Sequence, residues 1–221
     1  MKLLVVNSGS SSLKYTLFEM KGERKLMSGT IDRIGLEGSY HSYELDDAPV
    51  VKHELPIPNH GAALDELFHV LAHDGPLDSL DDLEIIGHRV AHGGEFKDPV
   101  RITPEVIAEI RRMTPFFPLH HPAMALEIEE CARRAPKAIH IAVFYMTFHK
   151  TIPDAASIYG LPYKYFSEKG YRKTGYHGHS NEYVVGQAAA FLGKNPADTK
   201  IISCHLGNGC SVTAVDGGKR I

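Results

Sequence analysis

Leu3-Leu4-Val5-Val6-Asn7-Ser8-Gly9-Ser10-Ser11-Ser12-Leu13-Lys14-Tyr15-Thr16-Leu17-Phe18 is the stretch on which the fold turns. Four consecutive apolar residues, Leu3 to Val6, read as a buried strand. Leu13 to Phe18, broken by Lys14 and Thr16, suits a second strand folding back on the first. Between them lies a turn of small residues and hydroxyls whose backbone N–H groups could close around an anion. Asn7 leaves the first strand and Lys14 enters the second, so an amide oxygen and an ammonium could face one phosphate. A flexible Ser-rich hairpin is the plainer alternative. The stretch is not a P-loop, since it lacks a second glycine and a Ser or Thr after the lysine.

Outward from this hairpin, Lys25–Arg33, Tyr40–Leu45 and Val50–Leu55 read as further strands of an antiparallel meander. Ala62–His73 is expected to be a helix, with Leu64, Leu67, Phe68 and Leu71 on one face. Leu83–Ile86 is a short strand leading into Gly87-His88-Arg89-Val90-Ala91-His92-Gly93-Gly94. Thr103-Pro104-Glu105 opens a helix, a second runs from about Ala123 to Arg134, and Ile139–Phe144 is a buried strand. From Thr151 the texture changes to Pro, Tyr, Gly and Lys. Ser180 is expected to cap a helix through Leu192. Lys200–His205 and Ser211–Val215 then repeat the opening layout of apolar strand, glycine turn, serine and return strand. Two such hairpins suggest a duplicated core, with residues 1–150 as the first domain and 151–221 as the incomplete beginning of a second. The strand begun after Asp216-Gly217-Gly218 stops at Ile221, so the chain is expected to be truncated.

Composition narrows the function. With 221 residues, 43% hydrophobic and 23% charged, the chain can bury a real core. A formal charge of −3 gives no reason to expect nucleic-acid or membrane binding. Three cysteines without CxxC spacing, no apolar run of membrane length and no signal peptide make the cytoplasm the expected location. The 14 histidines are the unusual feature. Arg89, beside a His-Gly-Gly turn, could grip a carboxylate or phosphate bidentately, or simply be a surface arginine. Pro118-Leu119-His120-His121-Pro122 fixes a His pair in a rigid turn, either a pocket wall or a helix start. His177, immediately before a helix N-terminus, stands where an anion would sit.

Six segments together resemble the acetate and propionate kinase family. They are Asn7–Lys14, Gly87–Gly94, Pro118–Pro122, Val143-Phe144 with Thr147-Phe148-His149, Gly175-Tyr176-His177-Gly178 with Ser180, and His205-Leu206-Gly207-Asn208-Gly209. The resemblance implies an α/β fold of the acetate and sugar kinase, Hsc70 and actin superfamily (ribonuclease H-like). It implies reversible phosphorylation of acetate, or propionate, to the acyl phosphate with ATP and Mg2+ (or Mn2+), and a homodimer for a full-length member. It gives Asn7 to the metal, and Ser10, Ser12, Lys14, His205, Leu206, Gly207, Asn208 and Gly209 to the nucleotide. Arg89 and His120 go to the substrate, and His177 to the transition state. An acyl carboxylate is already ionised at neutral pH, so such chemistry needs alignment and charge neutralisation rather than a general base.

Three positions depart from the family. Tyr145 stands where the family has an aspartate, and a neutral phenol is a poor magnesium ligand. His179 and Asn181 replace a Thr and a His. The alternative reading is a catalytically inactive fragment that at most binds phosphate or nucleotide.

Overall fold

The computed structural model describes every residue except Asp47 and Asn208. Its contacts separate it into two compact units, Met1–Phe144 and Tyr145–Ile221, each with its own sheet. The division falls after Phe144 rather than after Lys150. The short 3-10 turn Thr147–Thr151 packs on elements of the second unit, which draws residues 145–150 into it.

The first unit begins with the expected meander, β1 (Lys2–Ser8), β2 (Ser12–Glu19), β3 (Arg24–Asp32), β4 (Tyr40–Leu45) and β5 (Val51–Glu54), paired antiparallel in succession. Then come α1 (His60–His73), β6 (Leu83–Val90), β7 (Val100–Arg101), α2 (Pro104–Arg112), α3 (His121–Arg134) and β8 (Ile139–Phe144). The sheet runs β5-β4-β3-β2-β1-β6-β8-β7. β6 is parallel to both β1 and β8, and α1 and α3 occupy the two crossovers between these three strands.

Alternation explains the core. Leu4 and Val6 of β1 and Leu13, Tyr15 and Leu17 of β2 point inward, where they meet Leu64, Leu67 and Leu71 of α1, Cys131 of α3 and Ala135 just past its end. Burying each such large side chain is worth about 1.5–3 kcal/mol. Asn59 stops the chain from fraying before α1, because its side-chain oxygen accepts from the Ala62 N–H at 3.0 Å. β6 continues to Val90, past the expected end at Ile86. Its extra residues are held by parallel pairing with β8, where Arg89 lies opposite Val143.

In the second unit α4 (Asp154–Ser157) and α5 (Lys164–Ser167) are single turns, followed by α6 (Gly178–Phe191). A small antiparallel sheet, β11-β10-β9, is made by β9 (Lys200–Leu206), β10 (Cys210–Asp216) and β11 (Lys219–Arg220). Ser203, Thr213 and Val215 are buried on one face of it, and Val185 and Ala189 are the buried apolar residues of α6. On the opposite face Ile202, Leu206 and Val212 are exposed. α6 begins earlier than expected: its cap is His177, not Ser180.

Candidate functional site

The Ser-rich turn is short and pinned. Gly9 donates its N–H to the Ser12 carbonyl at 2.7 Å, and His60 Nε2, at the start of α1, donates to the Gly9 carbonyl at 2.8 Å. Asn7 and Lys14 are direct cross-strand partners, so their side chains stand together on the face opposite the core. Ser8 points the other way; its hydroxyl is buried with no hydrogen-bond partner among the described residues. Ser10 is exposed at the tip, and Ser12 opens β2 half-buried. The turn therefore presents an amide, an ammonium and hydroxyls around a fixed backbone.

Arg89 and His120 form a second cluster in the same unit. Arg89 is close enough that its charge, after burial, pushes the His120 imidazole toward the neutral form. His120 caps α3, and its buried Nδ1 has no hydrogen-bond partner among the described residues. The neighbouring histidines are structural. His121 Nδ1 donates to the Ile110 carbonyl at 2.7 Å, which leaves its Nε2 to accept the His92 N–H at 3.3 Å. His92 Nδ1 accepts from the Gly94 N–H at 2.8 Å, and burial, then Lys97, pushes its pKa down to about 4. Gly94 has φ 60° and lies against the Glu109 carboxylate, where a Cβ would overlap that side chain.

Beneath Arg89 lies a buried relay. His140 Nε2 donates to the Ala135 carbonyl at 3.1 Å, and burial keeps His140 neutral, so its Nδ1 accepts. His88 Nε2 therefore donates to it at 2.9 Å. His88 Nδ1 and Glu127 Oε1, both fully buried, are hydrogen-bonded at 2.6 Å. This relay ties β6 to α3 and β8 and fixes the strand that carries Arg89. Neither Glu127 nor His140 was identified as important from spacing, because they meet His88 only through the tertiary fold.

In the second unit His177 adopts a left-handed backbone, φ 54° and ψ 34°, uncommon for a residue with a Cβ. The helix can start there because Gly178 lies against the Tyr145 carbonyl oxygen, where a Cβ would overlap it. His149 Nε2 donates to the Tyr176 carbonyl at 2.7 Å and holds the preceding backbone. The His177 ring stacks on His205 at 4.0 Å, with Nδ1 2.8 Å from the Ser211 hydroxyl. His205 Nδ1 is 2.9 Å from the Ser180 hydroxyl. Ser180 thus orients a ring instead of capping a helix, and Ser211 is a partner that sequence reading missed. The Gly209 backbone comes close to His177 Cε1 and Nε2. Leu206, Gly207 and Gly209 are exposed, and Gly207 donates to the Gly209 carbonyl at 3.0 Å. Asn208 lies outside the described residues.

The expected residues thus fall into groups within each unit: Asn7, Ser10, Ser12 and Lys14 on one turn; Arg89 with His120; His177 with His205 and the glycine turn. Among the described residues no helix is long and apolar enough to cross a membrane.

Comparison with known proteins gives this arrangement a lineage. An acetate kinase of Bacillus cereus is 44% identical over 221 residues, which is 100% of this chain and 55% of that protein. The crystal structure of Porphyromonas gingivalis acetate kinase superimposes with a TM-score of 0.89 at 37% identity, covering 100% of this chain and 56% of that one. A propionate kinase from Francisella tularensis gives 0.91 at 33% identity, with coverage of 100% and 56%. These neighbours bear out the expected α/β fold. The chain spans about half the length of the curated relatives it matches. The model of the Acetokinase family matches residues 2–221, and the chain belongs to that family.

Proposed function

We propose that this chain supplies the carboxylate-gripping and phosphate-contacting residues of an ATP-dependent acetate kinase, which reversibly converts acetate to acetyl phosphate. The observation that carries this reading is the grouping of Arg89 with His120, where burial and then the Arg89 charge push the imidazole toward its neutral form. Arg89 grips the acyl carboxylate, and His120 contributes a hydrogen bond without adding charge. The Asn7–Lys14 turn and the glycine turn after His205 contact nucleotide phosphates. His177, oriented by Ser211, donates to the transferring phosphoryl group. Residues 151–221 belong, on this reading, to the nucleotide-binding domain. Propionate is the alternative acyl substrate, since a single methylene is discriminated only weakly. The reading places the protein in the cytoplasm and makes the full-length family member a homodimer.

Magnesium or manganese fits less well. None of the six matched motifs contains Asp or Glu. Asn7 offers one neutral oxygen, and Tyr145, at the family's aspartate position, is buried. This donor set does not make a magnesium site, and no step is assigned to the ion. Tyr145 also favours the second reading, a chain that binds phosphate or nucleotide without catalysis.

The test is acyl phosphate formation from ATP and acetate, trapped with hydroxylamine, in the chain and in Arg89→Ala. The kinase reading expects product from the parent and a loss of about 10²–10³-fold in the variant. Nucleotide binding by the parent without any product would establish the second reading instead.

A further inference from the structure

We propose that His41, His53 and Glu66 form a binding site for one divalent transition-metal ion of the zinc, nickel and cobalt class. The cluster lies in the first unit, and none of its residues belongs to the six motifs. His41 and His53 are directly opposite each other across the β4–β5 pair, so the register sets both imidazoles on one face. Glu66 reaches that face from α1. His41 Nδ1 is 2.9 Å and His53 Nε2 3.0 Å from the same Glu66 oxygen, and the three donor atoms all lie within 4.8 Å of one another. Ligands at adjacent corners of an octahedron with bonds of about 2.1 Å stand about 3.0 Å apart. Small side-chain rotations therefore suffice to bring the donors to a common centre.

The surroundings suit a ligand set. The far nitrogen of His41, Nε2, is 2.9 Å from the buried Tyr15 hydroxyl, and metal-bound histidines are held by such outer partners. Tyr43 packs on both rings, with centroids at 5.0 Å from His41 and 6.1 Å from His53. Exposure is graded: the His41 side chain is 0% exposed, Glu66 15% and His53 39%. An ion would enter on the His53 side and keep water at its remaining positions. Two imidazoles and one carboxylate select transition metals over calcium or magnesium. A bound ion would tie β5, the edge strand, to β4 and α1. The convergence of His88, Glu127 and Cys131 is different, being fully buried and already joined by hydrogen bonds.

Other metal-binding groups must be removed first. His69 and His73 stack one turn apart on α1 at 4.2 Å, and the Cys204 and Cys210 thiols are free and exposed. The experiment is calorimetric titration of tag-free protein with nickel chloride, in a background carrying His69→Gln, His73→Gln, Cys204→Ser and Cys210→Ser. Thermal melting is recorded with and without the ion. The expected result is one ion per chain and a Tm raised by roughly a few degrees at saturation. In that background, His53→Gln and Glu66→Gln should each weaken binding by at least about tenfold. His53→Gln sits at an exposed edge and should leave the metal-free Tm nearly unchanged. Absence of binding to the background protein at about millimolar nickel, or one-site binding that either variant leaves within tenfold, would overturn the proposal.

Discussion

The hairpins β1–β2 and β9–β10 begin alike, yet their surroundings differ. Each has an apolar strand, a glycine-containing turn and a serine on or before the return strand. In the first, β3 and β6 flank the pair, and Leu4, Val6, Leu13 and Leu17 are completely buried. In the second, among the described residues, only the two-residue β11 flanks β10, and Ile202, Leu206 and Val212 are 71%, 72% and 63% exposed. A local pattern can therefore specify a hairpin and its turn, but the covering of both faces comes from elsewhere in the fold. The first unit closes a core within itself; the second packs one face of its sheet.

The sharpest way to break this comparison is truncation at matched strands. Leu4→Ala should cost about 2–5 kcal/mol, because it opens a cavity in a closed core. Urea denaturation followed by far-UV circular dichroism would measure it. Next in size, Gly178→Ala should cost about 1–3 kcal/mol, since the new methyl meets the Tyr145 backbone. Its effect should be confined to probes of the second unit, such as His177 and His205 ring resonances.

Acid should then separate the units. Burial lowers the pKa of His41, His92, His120, His121 and His140 in the first unit, and of His149 in the second. A histidine held neutral by the fold binds fewer protons folded than unfolded. Its contribution is complete above the ordinary value of 6.5 and is lost as pH falls, for His92 toward about 4. Stability measured at pH 7.5 and again at pH 5 should therefore fall, and more for the first unit. The smallest effect belongs to Ile202→Thr, expected within about ±0.5 kcal/mol because the side chain is already in solvent. A cost near that of Leu4→Ala would show the face is covered in solution.

Much of this was legible in the residues. Tyr40–Leu45 and Ile139–Phe144 form the strands their apolar patterns indicate. Asn7 and Lys14, read as flanking an anion turn, are cross-strand partners. The misses have a common physical cause in long-range contacts. β6 runs on through Gly87, His88 and Arg89, weak strand formers, because β8 pairs with them and Glu127 holds His88. Ser180 has the chemistry of a cap, but His205 engages its hydroxyl, and the Tyr145 backbone sets the helix start. The His41–His53 pairing depends on hairpin register, which a Pro-bounded strand leaves open.

Hydrogen exchange with and without ATP tests the central claim, that the two similar turns serve as phosphate contacts despite unequal support. Without nucleotide, Leu3–Leu17 should exchange more slowly than Lys200–Val215. With saturating ATP, the account predicts slowed exchange at Gly9 to Leu13 and at Leu206, Gly207 and Gly209, with β3 and β4 unchanged. Unaltered exchange at both turns under saturating ATP would contradict it.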